Sequence, residues 1–327
     1  MANTLWKRSP TAEELAALTP WLMVHEFGDI KTTVAEGAEG NAYFFSERVR
    51  LLRQILMPLA GISPHKTFFD LGCASGLFAL EAAGMGWQAA GIDPREVHIQ
   101  QANFLATLLA DTLKKPEFSV GTDKTFAAAP QQWDVVACYG VISVLADPFA
   151  LLRTFAAKTQ QALIIEGAVY MPPNPPEIFT AGDNWTYSAL CQLSNQGAIA
   201  HNKKGVDTYA LVPSFPALVF GLFQAGFERV AWIPTPPEWA TSDSRGLKRF
   251  NAGTNHLLVA LQPGVAFLSP PDWVWLNCPP EMPNFNYHGI LKTTAAPIAK
   301  PTAPSQASLR QRIGGKIAQM GKRIAGS

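Results

Sequence analysis

The residues of this chain best suited to chemistry lie in a turn of small residues, Asp70-Leu71-Gly72-Cys73-Ala74-Ser75-Gly76, and in an acid further along, Asp93. A turn of this kind between a strand and a helix lets backbone N–H groups approach a polar or anionic ligand at the positive end of the helix dipole. An acid closing the next strand, about 20 positions on, suits the diol of a ribose. The turn lacks the G-x-G-x-x-G spacing of a nicotinamide dinucleotide site and sets Asp70 just before its first glycine.

The pattern resembles the first motif of class I S-adenosylmethionine-dependent methyltransferases, D-x-G-x-G-x-G in its commonest form. Ala74 stands where that motif has its middle glycine, and alanine leaves less room and tolerates positive φ poorly. The resemblance spans residues 67 to 262: Asp93 falls where the family has its ribose-binding acid, and Trp133 to Val141 resembles its fourth-strand motif. It implies S-adenosyl-L-methionine as cofactor, held by Asp70, Gly72, Ala74, Gly76, Asp93, Pro94, Tyr139 and Gly140. Asp123 stands where the family often meets the adenine amino group, and reads equally well as a helix N-cap. The nearest subgroup resembles wobble-uridine carboxymethyl-transferring and glycan-modifying enzymes, whose fourth-strand region reads C-x-G-V-L-Y-H-x-x-D-P. Cys138 to Pro148 keeps that frame with Ser143 and Val144 in place of Tyr and His, so a function of that pair does not carry over.

A sulfonium donor carries an activated methyl group, which leaves the protein to align a nucleophile with the S–CH3 bond and exclude water. A hydroxyl acceptor also needs a base within hydrogen-bond reach. His201, in the expected substrate cap, is the first candidate; Glu166, at the carboxyl edge of a strand, and His25 follow. No His/Asp/Glu cluster has metal-ligand spacing, so a metal-dependent mechanism is not expected.

These residues need a scaffold, and the apolar periodicity supplies one. Thr67 to Leu71 reads as a strand, Leu77 to Met85 as a helix and Trp87 to Ile92 as the next strand. Val49, Leu52, Ile55, Leu56 and Leu59 mark an amphipathic helix from Phe44 to Leu59, and Ser9-Pro10 opens a shorter helix before it. After Asp93 come a helix through Val97 and Leu108, a short strand from Phe118 to Val120, a strand from Trp133 to Cys138, a helix from Asp147-Pro148, and a buried strand from Ala162 to Ile165. A helix from Pro213 to Gly226 leads to a hairpin, Glu228 to Ile233 with Asn255 to Leu261. The fold class is α/β, and the resemblance implies a Rossmann-like, mostly parallel seven-stranded sheet with its last strand antiparallel. The expected organisation is an N-terminal cap over 1–60 and a methyltransferase domain over 61–262 containing a substrate-cap insertion at 170–212. An irregular Pro/Trp-rich extension at 263–292, a linker at 293–308 and a basic amphipathic tail at 309–327 follow. The insertion reads either as a cap or as a surface loop.

At 327 residues and 48% hydrophobic content the chain can bury a substantial core. Its net charge of +1 conceals Arg310, Arg312, Lys316, Lys322 and Arg323 in a tail without acids, leaving a mildly acidic body that is a poor partner for nucleic acid. The tail suits an anionic membrane surface or a partner groove, or a solvated end. Four dispersed cysteines read as reduced thiols of a cytoplasmic protein, and no apolar run spans a bilayer. The leading expectation is O-methylation of a small-molecule or glycan hydroxyl. A tRNA-modifying enzyme and a non-catalytic cofactor-binding scaffold are the alternatives.

Overall fold

The computed structural model describes residues 5–32, 41–169, 191–194, 210–236, 238–239, 245–267 and 272–276. His201, most of the insertion, the linker and the basic tail lie outside these residues. The described residues belong to one unit of the chain, Met1–Asn284.

Its centre is an eight-stranded sheet. Five parallel strands, β3 (Thr67–Leu71), β4 (Gln88–Asp93), β5 (Glu117–Val120), β6 (Trp133–Tyr139) and β7 (Thr159–Ala168), stand in the order β5-β4-β3-β6-β7. The hairpin of β10 (Arg229–Ile233) and β11 (Asn255–Leu261) then adds β11 antiparallel to β7, with Leu257 opposite Glu166 and Asn255 opposite Ala168. This is the expected mixed sheet, and the hairpin bounds agree with those read from the sequence. An eighth strand, β12 (Val274–Leu276), pairs antiparallel with β10 from within the segment expected to be irregular. The guanidinium of Arg229 lies 3.9 Å from the centre of the Trp275 ring.

Helices cover both faces. On one, α2 (Asn41–Leu59) buries Leu52, Ile55, Leu56 and Leu59 beside α3 (Leu77–Gly84) and α4 (Glu96–Leu108). Fully burying such side chains contributes roughly 1.5–3 kcal/mol each. On the other face Phe69 stacks on Phe126 of α5 (Asp123–Ala128) at 4.8 Å, and Phe126 meets Phe155 of α6 (Pro148–Lys158) at 5.8 Å. A register shift between Trp133 and Val135 lets Trp133 join Phe69 at 5.0 Å, while Val135, Ala137 and Tyr139 face the α2–α3 side. α7 (Phe215–Ala225) is capped by Ser214 at its start and by Gly226, at φ +112°, at its end. α8 (Arg245–Asn251) precedes β11.

One local expectation shifts. α1 (Ala12–Ala16) is capped by Thr11, not Ser9: the Thr11 hydroxyl accepts from the Glu14 N–H and the Glu14 carboxylate accepts from the Thr11 N–H, a reciprocal box that a serine two residues earlier cannot make. Pro20 to Thr32 contains a small hairpin, β1 (Glu26–Phe27) and β2 (Ile30–Lys31), which turns at Gly28. The base of the insertion is a separate two-stranded antiparallel sheet, β8 (Cys191–Ser194) with β9 (Ala210–Pro213), and the Leu211 N–H donates to the Leu145 carbonyl at 2.9 Å. Among the described residues no helix is long and apolar enough to cross a membrane.

Candidate active site

The carboxyl ends of the parallel strands surround a cavity of about 550 Å³, within the usual range of small-molecule sites. Open α/β sheets bind ligands at that edge because the turns and helix N-termini that follow the strands gather there. Gly72, Ala74, Asp93, Pro94, Asp123, Tyr139 and Gly140 line it, whereas Asp70 and Gly76 belong to the same turn without lining it.

The turn has the conformation its glycines require. Gly72 and Gly76 sit at φ +78° and +82°, and a Cβ on Gly76 would lie 2.6 Å from the Phe118 ring. Ala74 also adopts positive φ, +46°, a left-handed conformation that costs an alanine roughly 1–2 kcal/mol. Its N–H is thereby aimed at Asp93 Oδ2, at 3.1 Å. Asp93 is nearly fully buried and also accepts from the Arg95 backbone N–H at 3.0 Å and from Arg95 Nε at 3.1 Å. Burial by itself would raise the Asp93 carboxyl, but hydrogen bonds from His98 and Arg95 outweigh it and hold the group down at about 2. Asp93 is therefore a fixed anion at the cavity wall. Asp123 is the first residue of α5, and the residue that caps this helix is Thr122.

Asp70 is buried, and neither of its carboxylate oxygens has a hydrogen-bond partner among the described residues. Burial pushes its carboxyl up to about 7, with the Arg48 charge opposing and the Asp93 charge adding to the shift.

On the opposite wall Glu166 and Tyr139 were read from the sequence, whereas Arg48 and Asn255 were not. Arg48, on α2, is buried and ion-paired with Glu166, and its guanidinium lies 4.8 Å from the Tyr139 ring centre and 4.6 Å from that of Phe44. Glu166 also accepts from Asn255 Nδ2 at 3.1 Å, which fixes the amide with Oδ1 turned away from the carboxylate and without a partner among the described residues. Burial raises the Glu166 carboxyl while the Arg48 charge and hydrogen bond oppose the rise. A guanidinium stays charged, so the buried pair is satisfied only with Glu166 ionised. Arg48, Glu166, Asn255 and Arg249 all line the cavity.

His25 is elsewhere. It is buried behind the glycine turn, with Nε2 at 2.8 Å from the Ser75 hydroxyl, and it lines a different cavity. Burial pushes its imidazole down to about 3, so it is neutral. His201 lies outside the described residues.

Residues 44–194 match a family model described as a methyltransferase domain. The fold superposes on the N-terminal domain of EvdMO1, crystallised in the presence of SAH and D-fucose, with a TM-score of 0.52 at 16% identity over 76% of this chain and 94% of that one. Residues 44–194 thus carry a methyltransferase domain, in a chain similar to the class I S-adenosylmethionine-dependent methyltransferases. Curated relatives include the ubiquinone biosynthesis O-methyltransferase of Stutzerimonas stutzeri, 31% identical over 91 residues, or 28% of this chain and 38% of that one. The enzyme of the same name from Bordetella pertussis is 31% identical over 98 residues, 30% and 40% of the two chains. The match thus spans two fifths or less of the length of these relatives.

The cavity suits an S-adenosyl group. Asp93 offers a buried anionic acceptor to a diol, Gly72 lines the cavity with Val141 packed where a Cβ would stand, and the Asp123 carboxylate can accept from an amino group. The unpartnered Asp70 carboxylate adds negative charge beneath the turn when ionised, which favours a cationic ligand above it.

Proposed function

We propose that this protein methylates the oxygen of a hydroxyl on a small-molecule or glycan acceptor, with S-adenosylmethionine supplying the activated methyl group. The observation that carries the reading is the composition of the cavity: an anionic, glycine-walled end at Asp93 and Gly72, and facing it a buried Arg48–Glu166–Asn255 array.

The residues divide the work. Asp93, Gly72, Ala74 and Asp123 hold the cofactor; Phe44, Phe45, Val144 and Leu145 exclude water from the acceptor. The acceptor hydroxyl donates its hydrogen bond to Glu166, and Asn255 Oδ1, a buried acceptor without a donor among the described residues, takes one from a second donor group of the acceptor molecule, since leaving such a group unmet costs about 1–3 kcal/mol. As the acceptor oxygen bonds to the methyl carbon and the sulfur–carbon bond breaks, the hydroxyl proton passes to Glu166. Its raised proton affinity makes it a better base than an ordinary carboxylate. The names of the curated relatives, O-methyltransferases, agree with an oxygen acceptor.

The test is calorimetric titration with S-adenosylmethionine and S-adenosylhomocysteine on the wild type and Asp93→Ala, followed by transfer of labelled methyl to a panel of phenols, alcohols and sugars. Micromolar binding lost in the variant, with label in an ether product, supports the reading. Folded wild-type protein that binds neither ligand refutes it.

A further inference from the structure

The neutral histidine behind the glycine turn opens a second question, because its other nitrogen has no use in the site above. His25 lines a cavity of about 510 Å³ bounded by the N-terminal segment, β1, α2 and α3. The residue is 2% exposed, and its Nδ1 has no hydrogen-bond partner among the described residues. Nor is its position loose. The His25 N–H donates to the Thr32 hydroxyl at 3.0 Å, the Thr32 N–H donates back to the His25 carbonyl at 3.0 Å, and the ring packs edge-on against Trp21 at 5.9 Å. A buried nitrogen held this firmly without a partner costs roughly 1–3 kcal/mol, a cost that a ligand can remove.

The walls define the ligand. Trp6, Val24, Phe45 and Met57 supply apolar and aromatic surface, and Met57 is 67% exposed at the mouth. Both arginines that line the cavity are ion-paired, Arg53 with Glu81 at 2.5 Å and Arg50 with Glu47 at 2.9 Å, while the exposed Glu26 has no ion pair among the described residues. An anion would meet Glu26 and have to break these pairs, a cation would meet Arg50 and Arg53, and a neutral ligand leaves the pairs intact. A hydroxyl is both donor and acceptor, and so satisfies Nδ1 in either tautomer of His25.

We propose that this cavity is a second small-molecule site, separate from the cofactor cavity, which takes a neutral compound with an aromatic body and one hydroxyl that bonds to His25 Nδ1. Two contacts connect it to the first site. His25 Nε2 bonds to the hydroxyl of Ser75, whose neighbour Ala74 donates its N–H to Asp93. Phe45 lines both cavities from α2. Ligand at the second site therefore acts on the cofactor turn and on the wall of the cofactor cavity, and binding at the two sites is reciprocal.

The experiment uses the full chain with 4-propylphenol and propylbenzene as probes, followed by saturation-transfer NMR and calorimetry with and without saturating S-adenosylhomocysteine. The phenol should bind at least fivefold more tightly than propylbenzene, the preference a single hydrogen bond of about 1 kcal/mol gives. His25→Phe should abolish that preference. Met57→Lys, an exposed substitution that leaves the fold unaffected, should weaken both probes by putting a charge at the mouth. Phenol and S-adenosylhomocysteine should bind together, each changing the affinity of the other at least twofold. No binding of the phenol, equal binding of the two probes, or displacement of the phenol by S-adenosylhomocysteine would overturn the proposal; unchanged S-adenosylhomocysteine affinity would overturn the connection. Phenol binding is measured without cofactor as well, so failure of the methyltransferase reading would be seen separately.

Discussion

Replacing Asp70 by asparagine should make the ligand-free protein more stable at alkaline pH and leave it little changed in acid. The Asp70 carboxyl is buried without a hydrogen-bond partner among the described residues, and its pKa is pushed up to about 7 from an ordinary value of 3.8. In the unfolded chain it ionises near the lower value. Between the two values the folded form binds the extra proton, so its stability falls as pH rises and levels off above the upper one. The slope is about 1.4 kcal/mol per pH unit and halves at the upper value, so the wild type loses about 2.3 kcal/mol relative to Asp70→Asn between pH 5 and pH 7. For a chain of this size that is roughly 3–4 °C in Tm. The assay is thermal unfolding of both proteins, without cofactor, at pH 5, 6, 7 and 8. Asparagine matches the carboxyl in shape, and other titrating groups cancel in the difference between the two curves. Parallel Tm–pH curves would refute the reasoning, since they would mean that Asp70 ionises alike in the folded and unfolded chain.

Gly76→Ala combines a positive-φ position with a Cβ 2.6 Å from the Phe118 ring, and should lower the free energy of unfolding by about 2–4 kcal/mol in urea titrations. Arg48→Met leaves Glu166 buried without its cation and should cost about 3–5 kcal/mol, whereas adding Glu166→Gln to it should recover much of the loss. Both effects are read from urea midpoints. Glu166→Gln alone should lower kcat for an identified hydroxyl acceptor by about 10²–10⁴ while leaving S-adenosylhomocysteine affinity, measured by calorimetry, within a few-fold of the wild type.

What was legible in the sequence is what local signals specify. The stretch from Thr67 to Asp93 announces strand, turn and helix through short buried runs, small residues and helical spacing, all within reach of one another along the chain. Of the wall facing the turn, Glu166 was legible as a carboxylate at a strand's carboxyl edge, whereas its partners Arg48 and Asn255 were not, because long-range pairing brings them there. Arg48 and Glu166 meet only when α2 packs over the sheet, and Asn255 reaches Glu166 only because β11 inserts beside β7. A signal for Asn255 was present: a polar residue opens the otherwise apolar run to Leu261, and an antiparallel last strand must begin at the carboxyl edge of its neighbours. The position of His25 had no such signal, since an isolated histidine in a turn-rich segment carries nothing that says which side of the glycine turn it will face. β12 is three residues long, between prolines and tryptophans, too short for periodicity to show.

That short strand bears on how the chain can be cut. β10 has β11 on one side and β12 on the other, with Val230, Ala231 and Trp232 aligned to Leu276, Trp275 and Val274. A polypeptide ending at Gln262, just after β11, would keep every strand of the expected sheet yet leave the apolar run Val230-Ala231-Trp232 with an open row of backbone donors and acceptors. Such an edge pairs readily with another copy. Shortened versions of this protein should therefore self-associate unless they extend past Leu276, and solubility rather than fold would report the difference.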